Sequence, residues 1–421
     1  MENQFRIKGF VVWFLCALFF MYEFLLRTVV GTFQHEIMSD LQINSMQFSL
    51  LSTTVFLLIY GVMQIPVGII AENFGLKKSL FLASIACGTS ALIFSYADGF
   101  QLAFYARLLM GFGASFGFVC LLIAVNDWMP SRYIAIFIGL SQFIGTLGPM
   151  AAAGPIESLS SSSTVTWQNV FFVLGVIGLA LSFLVLFFVE NKQQCSGKYI
   201  VLSKPEKILT SAKRIFSRSQ PWILGLVSTF VYFSIEYLSE NEGRLFLTLK
   251  GQSSQSASNM LTLSWIGFAV ACPLVGFLSD FFERRKSILS FCCLLNLVAI
   301  FMIVLLEKSL YLQIGFFVLG LGASGIGIGF AMVAEQFKKP FVAVGFGLVN
   351  ALVMSISAIN APLLGMVLDQ VSNQNTPILQ DYIQTFYILI GIALAGFLIS
   401  IFWIKETYCK SAVSFTFLKI K

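Results

Sequence analysis

The chain has 421 residues, 57% of them hydrophobic and 11% charged, with a mean hydropathy of +0.87 and a formal net charge of +6. Soluble domains carry about 25% charged residues, and a soluble fold of this length has too little interior to hide so much apolar surface. The expected solvent is lipid, and the expected fold class is an all-α membrane protein.

Apolar runs long enough to cross a bilayer fall near 9–31, 47–70, 79–97, 102–125, 134–154, 169–189, 222–246, 256–279, 287–306, 311–333, 343–365 and 382–404. The first holds charges and is followed by no small-residue cleavage site, so it reads as a transmembrane helix and not as a cleaved leader. The expected architecture is 12 transmembrane helices in two six-helix halves, 1–189 and 222–421, the second ending in a short cytoplasmic tail. Between them, 190–221 is polar, carries seven basic residues, and is expected to be a cytoplasmic linker with a short amphipathic helix at 205–218.

Orientation follows from Lys and Arg. With both termini inside, all of the 26 basic residues except Arg27, Arg107, Arg244, Lys250 and Lys308 fall on inner segments. The positive net charge therefore reports topology, and no nucleic-acid partner is needed to explain it. The eight cysteines lie in apolar runs or inner segments, so no disulfide is expected. His35 is the only histidine, which argues against a zinc site. No Walker motif or nucleophile–base pair is present, so neither ATP, another cofactor nor an enzymatic activity is expected.

The two halves repeat at an offset near 208 residues. "GIIAENFGLKK" at 68–78 matches "GFLSDFFERRK" at 276–286, with Gly68/Gly276, Glu72/Asp280, Lys77/Arg285 and Lys78/Lys286 in register. "GFGAS" at 111–115 matches "GLGAS" at 320–324, Asp127 matches Glu335, and "GLSQ" at 139–142 matches "GLVN" at 347–350. Six spans per copy is an even number, so both copies face the same way, as a parallel repeat does.

Two six-helix halves, a basic central loop and these loop motifs resemble the major facilitator superfamily over roughly residues 5–405. Gly68, Gly75, Lys77 and Lys78 fit that family's 2–3 loop, while Glu72 replaces its Asp and Asn73 its Arg; the second copy keeps Gly276 and Asp280 but has Glu283 at the second Gly. Arg107, Gly111 and Gly113 fit its span 4 pattern. In "GTLGPMAAAGP", Ala152 and Ala153 stand where the antiporter pattern has paired glycines, which points away from drug efflux. Tyr22-Glu23 and Arg27, followed by "YGVMQIPVGII" at 60–70, look like a subgroup that includes phagosomal nutrient transporters of intracellular bacteria, with lysosomal dipeptide carriers more distant.

Charges inside spans cost roughly 2.5–3.5 kcal/mol each on insertion scales and persist where they find partners or a polar cavity. Glu23 and Arg27 are four residues apart and share a helix face. At 1.5 Å per residue Glu23 lies roughly 21 Å from the inner end of its span, and Arg107 and Glu236 fall at a similar depth. The resemblance implies that spans 1, 4, 7 and 10 line a central cavity. An Arg fork suits a carboxylate or phosphate, and a Glu suits an amine or a proton. Tyr22, Tyr60, Gln64, Gln142, Tyr232 and Asn350 are further candidates for hydrogen bonds to a substrate. The bland alternative for all of them is helix–helix packing.

Glu72, Lys77, Lys78 and Asp127, with the duplicate set Asp280, Arg284, Arg285 and Glu335, are expected to gate the inner face. The expected function is a secondary transporter of a small zwitterionic or anionic nutrient, with an amino acid or small peptide favoured and protons as the coupling ion. An exporter and a non-transporting nutrient sensor are the alternatives. The expected setting is a multi-pass protein of a bacterial inner membrane, a monomer whose partners are a small-molecule substrate, protons and the bilayer.

Overall fold

The computed structural model describes residues 7–43, 47–48, 50–156, 165–191, 215–240, 243–337, 342–372 and 378–410. Every element among them is helical. The expected amphipathic helix at 205–218 lies largely outside the described residues.

Among the described residues, eleven helices are long and apolar enough to cross a membrane, and the shorter apolar stretch Leu50–Gln64 supplies the twelfth. In chain order they begin with α1 (Ile7–Thr32), which is followed by the short α2 (Gln34–Asp40). A π-helical turn (Leu50–Thr54) leads into α3 (Val55–Phe74), and α4 (Leu76–Ser95) follows. The fourth span is broken into α5 (Phe100–Ala114) and α6 (Phe116–Trp128). Then come α7 (Ile134–Ala151), which ends in a π-helical turn, and α8 (Trp167–Phe188). The second half has α9 (Ser219–Glu240), α10 (Gly243–Leu249), α11 (Ser254–Phe282) and α12 (Arg285–Leu305). Its fourth span is again broken, into α13 (Ser309–Ala323) and α14 (Ile326–Gln336), before α15 (Val342–Val371) and α16 (Leu379–Phe402).

The seventh span is shorter than its hydropathy suggests. It stops at Glu240, and the apolar residues beyond belong to the separate helix α10. The polar run "SENEG" at 239–243 is the sequence reason. Lys250, just past α10, donates to the carbonyls of Ile303, Val304 and Leu306 at 2.6, 2.9 and 2.8 Å. A lysine there satisfies the orphan carbonyls that end α12 and complements its dipole.

The chain divides into two compact units. Unit 1 is Met1–Ser131, Ile144–Ile215 and Lys339–Ala351; unit 2 is Arg132–Phe143, Phe216–Lys338 and Leu352–Lys421. Within unit 1, α4 packs against α5 and α8, α3 against α5, and α1 against α6. Within unit 2 the same pairs recur as α12 with α13 and α16, α11 with α13, and α9 with α14.

The repeat extends to single contacts. A Cβ on Gly111 would sit 2.8 Å from the carbonyl oxygen of Phe56, and one on Gly320 would strike that of Ser264. Two helices thus touch backbone to backbone, which only a residue without a side chain permits. Both broken spans give way at equivalent serines. Ser115 Oγ donates to Phe112 O at 2.6 Å, and Ser324 Oγ donates to Leu321 O at 2.7 Å. A hydroxyl bonded back into its own turn competes with the helix ladder and favours such a break.

Candidate functional site

In unit 1, α1 presents Glu23 and Arg27 one turn apart. Glu23 is 2% exposed. It reaches this position because α6 offers Gly117 opposite, where a Cβ would lie 2.9 Å from Glu23 Cγ. Arg27 is half-buried and lies over the Phe24 ring at 5.0 Å. Glu23 and Arg27 interact electrostatically with each other, and both act on the Tyr60 hydroxyl of α3.

Tyr60 leads into a buried amide network. Its hydroxyl lies beside the side chains of Gln64 and Asn350. Asn350 Nδ2 donates to Gln64 Oε1 at 2.6 Å. Gln64 Nε2 donates to the carbonyls of Tyr60 at 3.0 Å and Ser115 at 3.2 Å. The Ser115 carbonyl is available because the fourth span breaks there. Glu23, Arg27, Tyr60, Gln64 and Asn350 therefore form one connected polar group in apolar surroundings.

Arg107 is 0% exposed and engaged with backbone. Its Nε donates to Leu51 O at 2.9 Å, NH1 to Leu26 O at 3.0 Å and NH2 to Ser52 O at 2.7 Å, while the guanidinium lies over the Phe56 ring at 4.7 Å. Leu51 and Ser52 sit in the π-helical turn before α3, where the widened ladder leaves carbonyls open to an outside donor. The guanidinium ties α1, that turn and α5 together. Tyr22 also bonds to backbone, donating to Leu174 O of α8 at 2.8 Å, on the packing side of α1.

In unit 2, Tyr232 and Glu236 lie one turn apart on α9 and are 4% and 5% exposed. The Tyr232 ring meets Phe268 at 5.9 Å. Gln142, on α7, is 5% exposed.

A second polar cluster gathers at one end of unit 2. Arg285, the first residue of α12, is 0% exposed. Its NH1 is 2.6 Å from Asp280 Oδ1, and its Nε and NH2 both point to Glu335 Oε1, at 3.0 and 2.8 Å. NH1 also donates to Ser279 Oγ at 2.8 Å. The second oxygen of Asp280 accepts from the Ile136 backbone N–H in the first turn of α7, at 3.1 Å. One buried cation thus joins the ends of α11, α12 and α14, and Asp280 extends the link to α7. Arg284 stays outside it, exposed and stacked 5.2 Å from the Tyr408 ring.

Two members of this cluster carried no signal in the loop motif. Glu406 accepts from the N–H groups of Arg285 and Lys286 at 2.8 and 3.0 Å, capping α12. Thr407 Oγ donates to Glu335 Oε2 at 2.5 Å. Position was the available clue, because an acid four residues past the last span serves no orientation purpose. Unit 1 has a parallel cap, where Asn191 Oδ1 accepts from the Lys77 N–H at the start of α4 at 3.0 Å. Lys78 is exposed, Asp127 is half-buried in the last turn of α6, and the Glu72 side chain lies outside the described residues.

The profile of the Major Facilitator Superfamily matches residues 13–249 and 245–414. The hexuronate transporter of Bacillus subtilis is 25% identical over 276 residues, 63% of this chain and 63% of that protein. A probable sulfoacetate transporter of Cupriavidus necator is 23% identical over 263 residues, 58% of this chain and 60% of that protein. The chain thus spans about three fifths of the length of these relatives. The solved structure of the proton:xylose symporter XylE, bound to 6-bromo-6-deoxy-D-glucose, superposes with a TM-score of 0.77 at 13% identity, covering 98% of this chain and 99% of that one. The superposition concerns fold alone, and the profile covers both halves of the sequence: this multi-pass membrane protein belongs to the Major Facilitator Superfamily, whose members are transporters and not enzymes.

Proposed function

We propose that the chain is a secondary transporter that carries a small carboxylate-bearing solute by alternating access, coupled to protons. The observation that carries this reading is Glu23: a carboxylate 2% exposed in a membrane-spanning helix, one turn from Arg27 and electrostatically tied to the Tyr60–Gln64–Asn350 network. A membrane protein retains such residues at a cost of roughly 2.5–3.5 kcal/mol each, and a functional pathway is the usual reason.

The roles divide by chemistry. Arg27 is a planar, permanently charged fork suited to a carboxylate. Glu23 takes and releases the proton. The amides and the phenol hold the hydroxyl or amino groups of the solute. Arg107 is a strut, because its donors are given to backbone. Amino acids, small peptides and sugar acids all carry the required carboxylate, and the named relatives are a hexuronate transporter and a probable sulfoacetate transporter, both solutes being carboxylates. The nutrient-uptake pattern around Tyr22, Glu23, Arg27 and residues 60–70 supports import. The basic residues support cytoplasmic termini in a bacterial inner membrane, with 190–221 as linker between the six-helix halves, and the Asp280–Arg285–Glu335 cluster as a cytoplasmic gate.

Uptake into proteoliposomes under an imposed pH gradient tests the reading, with glucuronate, amino acids and dipeptides as probes. Glu23→Gln should abolish the response to the gradient, and Arg27→Ala should raise KM. Wild-type behaviour in both variants overturns it.

A further inference from the structure

The gate cluster is closed from beyond the last helix. The segment Trp403–Lys410 runs across the ends of α9, α11, α12 and α14 in unit 2, and its bonds fall on all four. Gln220 Nε2 donates to Trp403 O at 2.9 Å, and Lys405 N–H donates back to Gln220 Oε1 at 3.0 Å. Glu406 caps α12 through two N–H groups. Thr407 reaches Glu335, and Cys409 Sγ donates to Ser279 O at 3.6 Å. Tyr408 stacks under Arg284.

Two features make this more than a docked tail. Arg285 directs both of its facing N–H groups to Oε1 of Glu335, which leaves Oε2 to Thr407. Glu335 and Thr407 are 5% and 8% exposed, so that oxygen has no ready substitute in water. In addition, Tyr408 and Cys409 are successive non-glycine residues with φ of 51° and 55°. Left-handed backbone at such residues persists where surrounding contacts over-determine it. Loss of those contacts therefore releases the segment instead of leaving it in place.

We propose that Trp403–Lys410 is a strap that belongs to the gate, with Thr407 as the positioning residue that holds Glu335 for Arg285. A continuous chain of bonds then runs from the strap to α7: Thr407, Glu335, Arg285, Asp280 and the Ile136 N–H. The strap leaves when the gate opens, and the gate loosens when the strap is cut. This rests on the reading of Asp280, Arg285 and Glu335 as a gate.

The test uses the full-length protein and N-ethylmaleimide. Cys409 is the natural reporter of the strap, since the other described cysteines are at most 2% exposed, and Cys195→Ser removes the one outside the described residues. In a background that also carries Cys409→Ser, Ile136→Cys reports the gate. Thr407→Val should raise labelling at position 136 about tenfold, since leaving a buried carboxylate oxygen unsatisfied shifts a local opening equilibrium by at least that factor. Asp280→Asn, which touches no strap residue by hydrogen bond, should raise labelling of Cys409. Thr407→Ser should restore wild-type rates at both positions, and the thermal midpoint checks that each variant is folded. If Asp280→Asn frees position 136 while Thr407→Val does not, the gate stands and the strap proposal falls. If Asp280→Asn leaves position 136 unchanged, the gate reading itself is wrong.

Discussion

The side-chain amide of Asn350 donates to Oε1 of Gln64 at 2.6 Å, across 286 residues of sequence. Both residues are at most 1% exposed, and Gln64 also holds the carbonyls of Tyr60 and Ser115. The pair fastens the middle of α3 to the first half of α15 and sets the wall against which Tyr60 faces Glu23. Two neutral amides suit this place better than an ion pair, because they can part without stranding a charge in a dry interior.

Removing both amides should cost less than the sum of removing each. Asn350→Leu takes a donor from a buried oxygen, and Gln64→Leu takes an acceptor from a buried NH2 group, each at about 1–3 kcal/mol. In the double variant neither amide faces a missing partner, and only the Tyr60 and Ser115 carbonyls lose their donor, so it should lose less than the sum. Thermal unfolding of the four proteins in detergent measures the coupling. Strictly additive losses would show that the pair contributes nothing jointly.

Arg107 and Arg27 should fail in different ways. Lysine at 107 concentrates its donors on one nitrogen and cannot reach three carbonyls on two elements, so Arg107→Lys should lose at least about 1.5–3 kcal/mol of stability. The protein that remains folded should bind solute normally. Arg27→Lys should keep stability and lose affinity, because a bidentate partner for the carboxylate is gone. A stable Arg107→Lys protein that no longer binds would make Arg107 a ligand-contact residue and overturn its role as a strut.

The docked strap has a pH signature. Burial pushes the Cys409 thiol up to about 12, with Arg285 pulling against it and Glu335, Asp280 and Glu283 adding to the rise. The thiolate is the reactive form. Maleimide labelling of Cys409 should therefore climb about tenfold per pH unit from 7 to 9 without levelling, whereas a free thiol levels near its ordinary value of about 8.5. For stability the sign is that of a group the fold keeps protonated. Its contribution is full below the ordinary thiol value and is lost as pH rises through about 12. A plateau in the labelling rate by pH 9 would mean that the strap is undocked in solution.

Much of this protein is legible without coordinates, for reasons that come from lipid. A bilayer demands long apolar runs, so the spans stand out in the sequence, and the charges that interrupt them, Glu23, Arg27, Arg107 and Glu236, stand out with them. The duplication is visible because the close contacts of Gly111 and Gly320 allow no side chain, and each copy had to keep its glycine. Roles were harder to read. Arg107 and Arg27 look alike in sequence, yet one is given to three backbone carbonyls. Those carbonyls exist at every residue, and only the π-helical turn at Leu50–Thr54 opened two of them.

The sequence by itself determined the solvent, the number of crossings, the internal repeat and the residues whose charge has to be explained. Tertiary structure decided the pairings: Asn350 with Gln64, Arg107 with backbone, Tyr22 with Leu174, and Thr407 with Glu335. The physical reason is range. Hydropathy and periodicity are summed along the chain and survive as local pattern, whereas a hydrogen bond forms within about 3 Å and depends on a meeting of segments that no local pattern encodes.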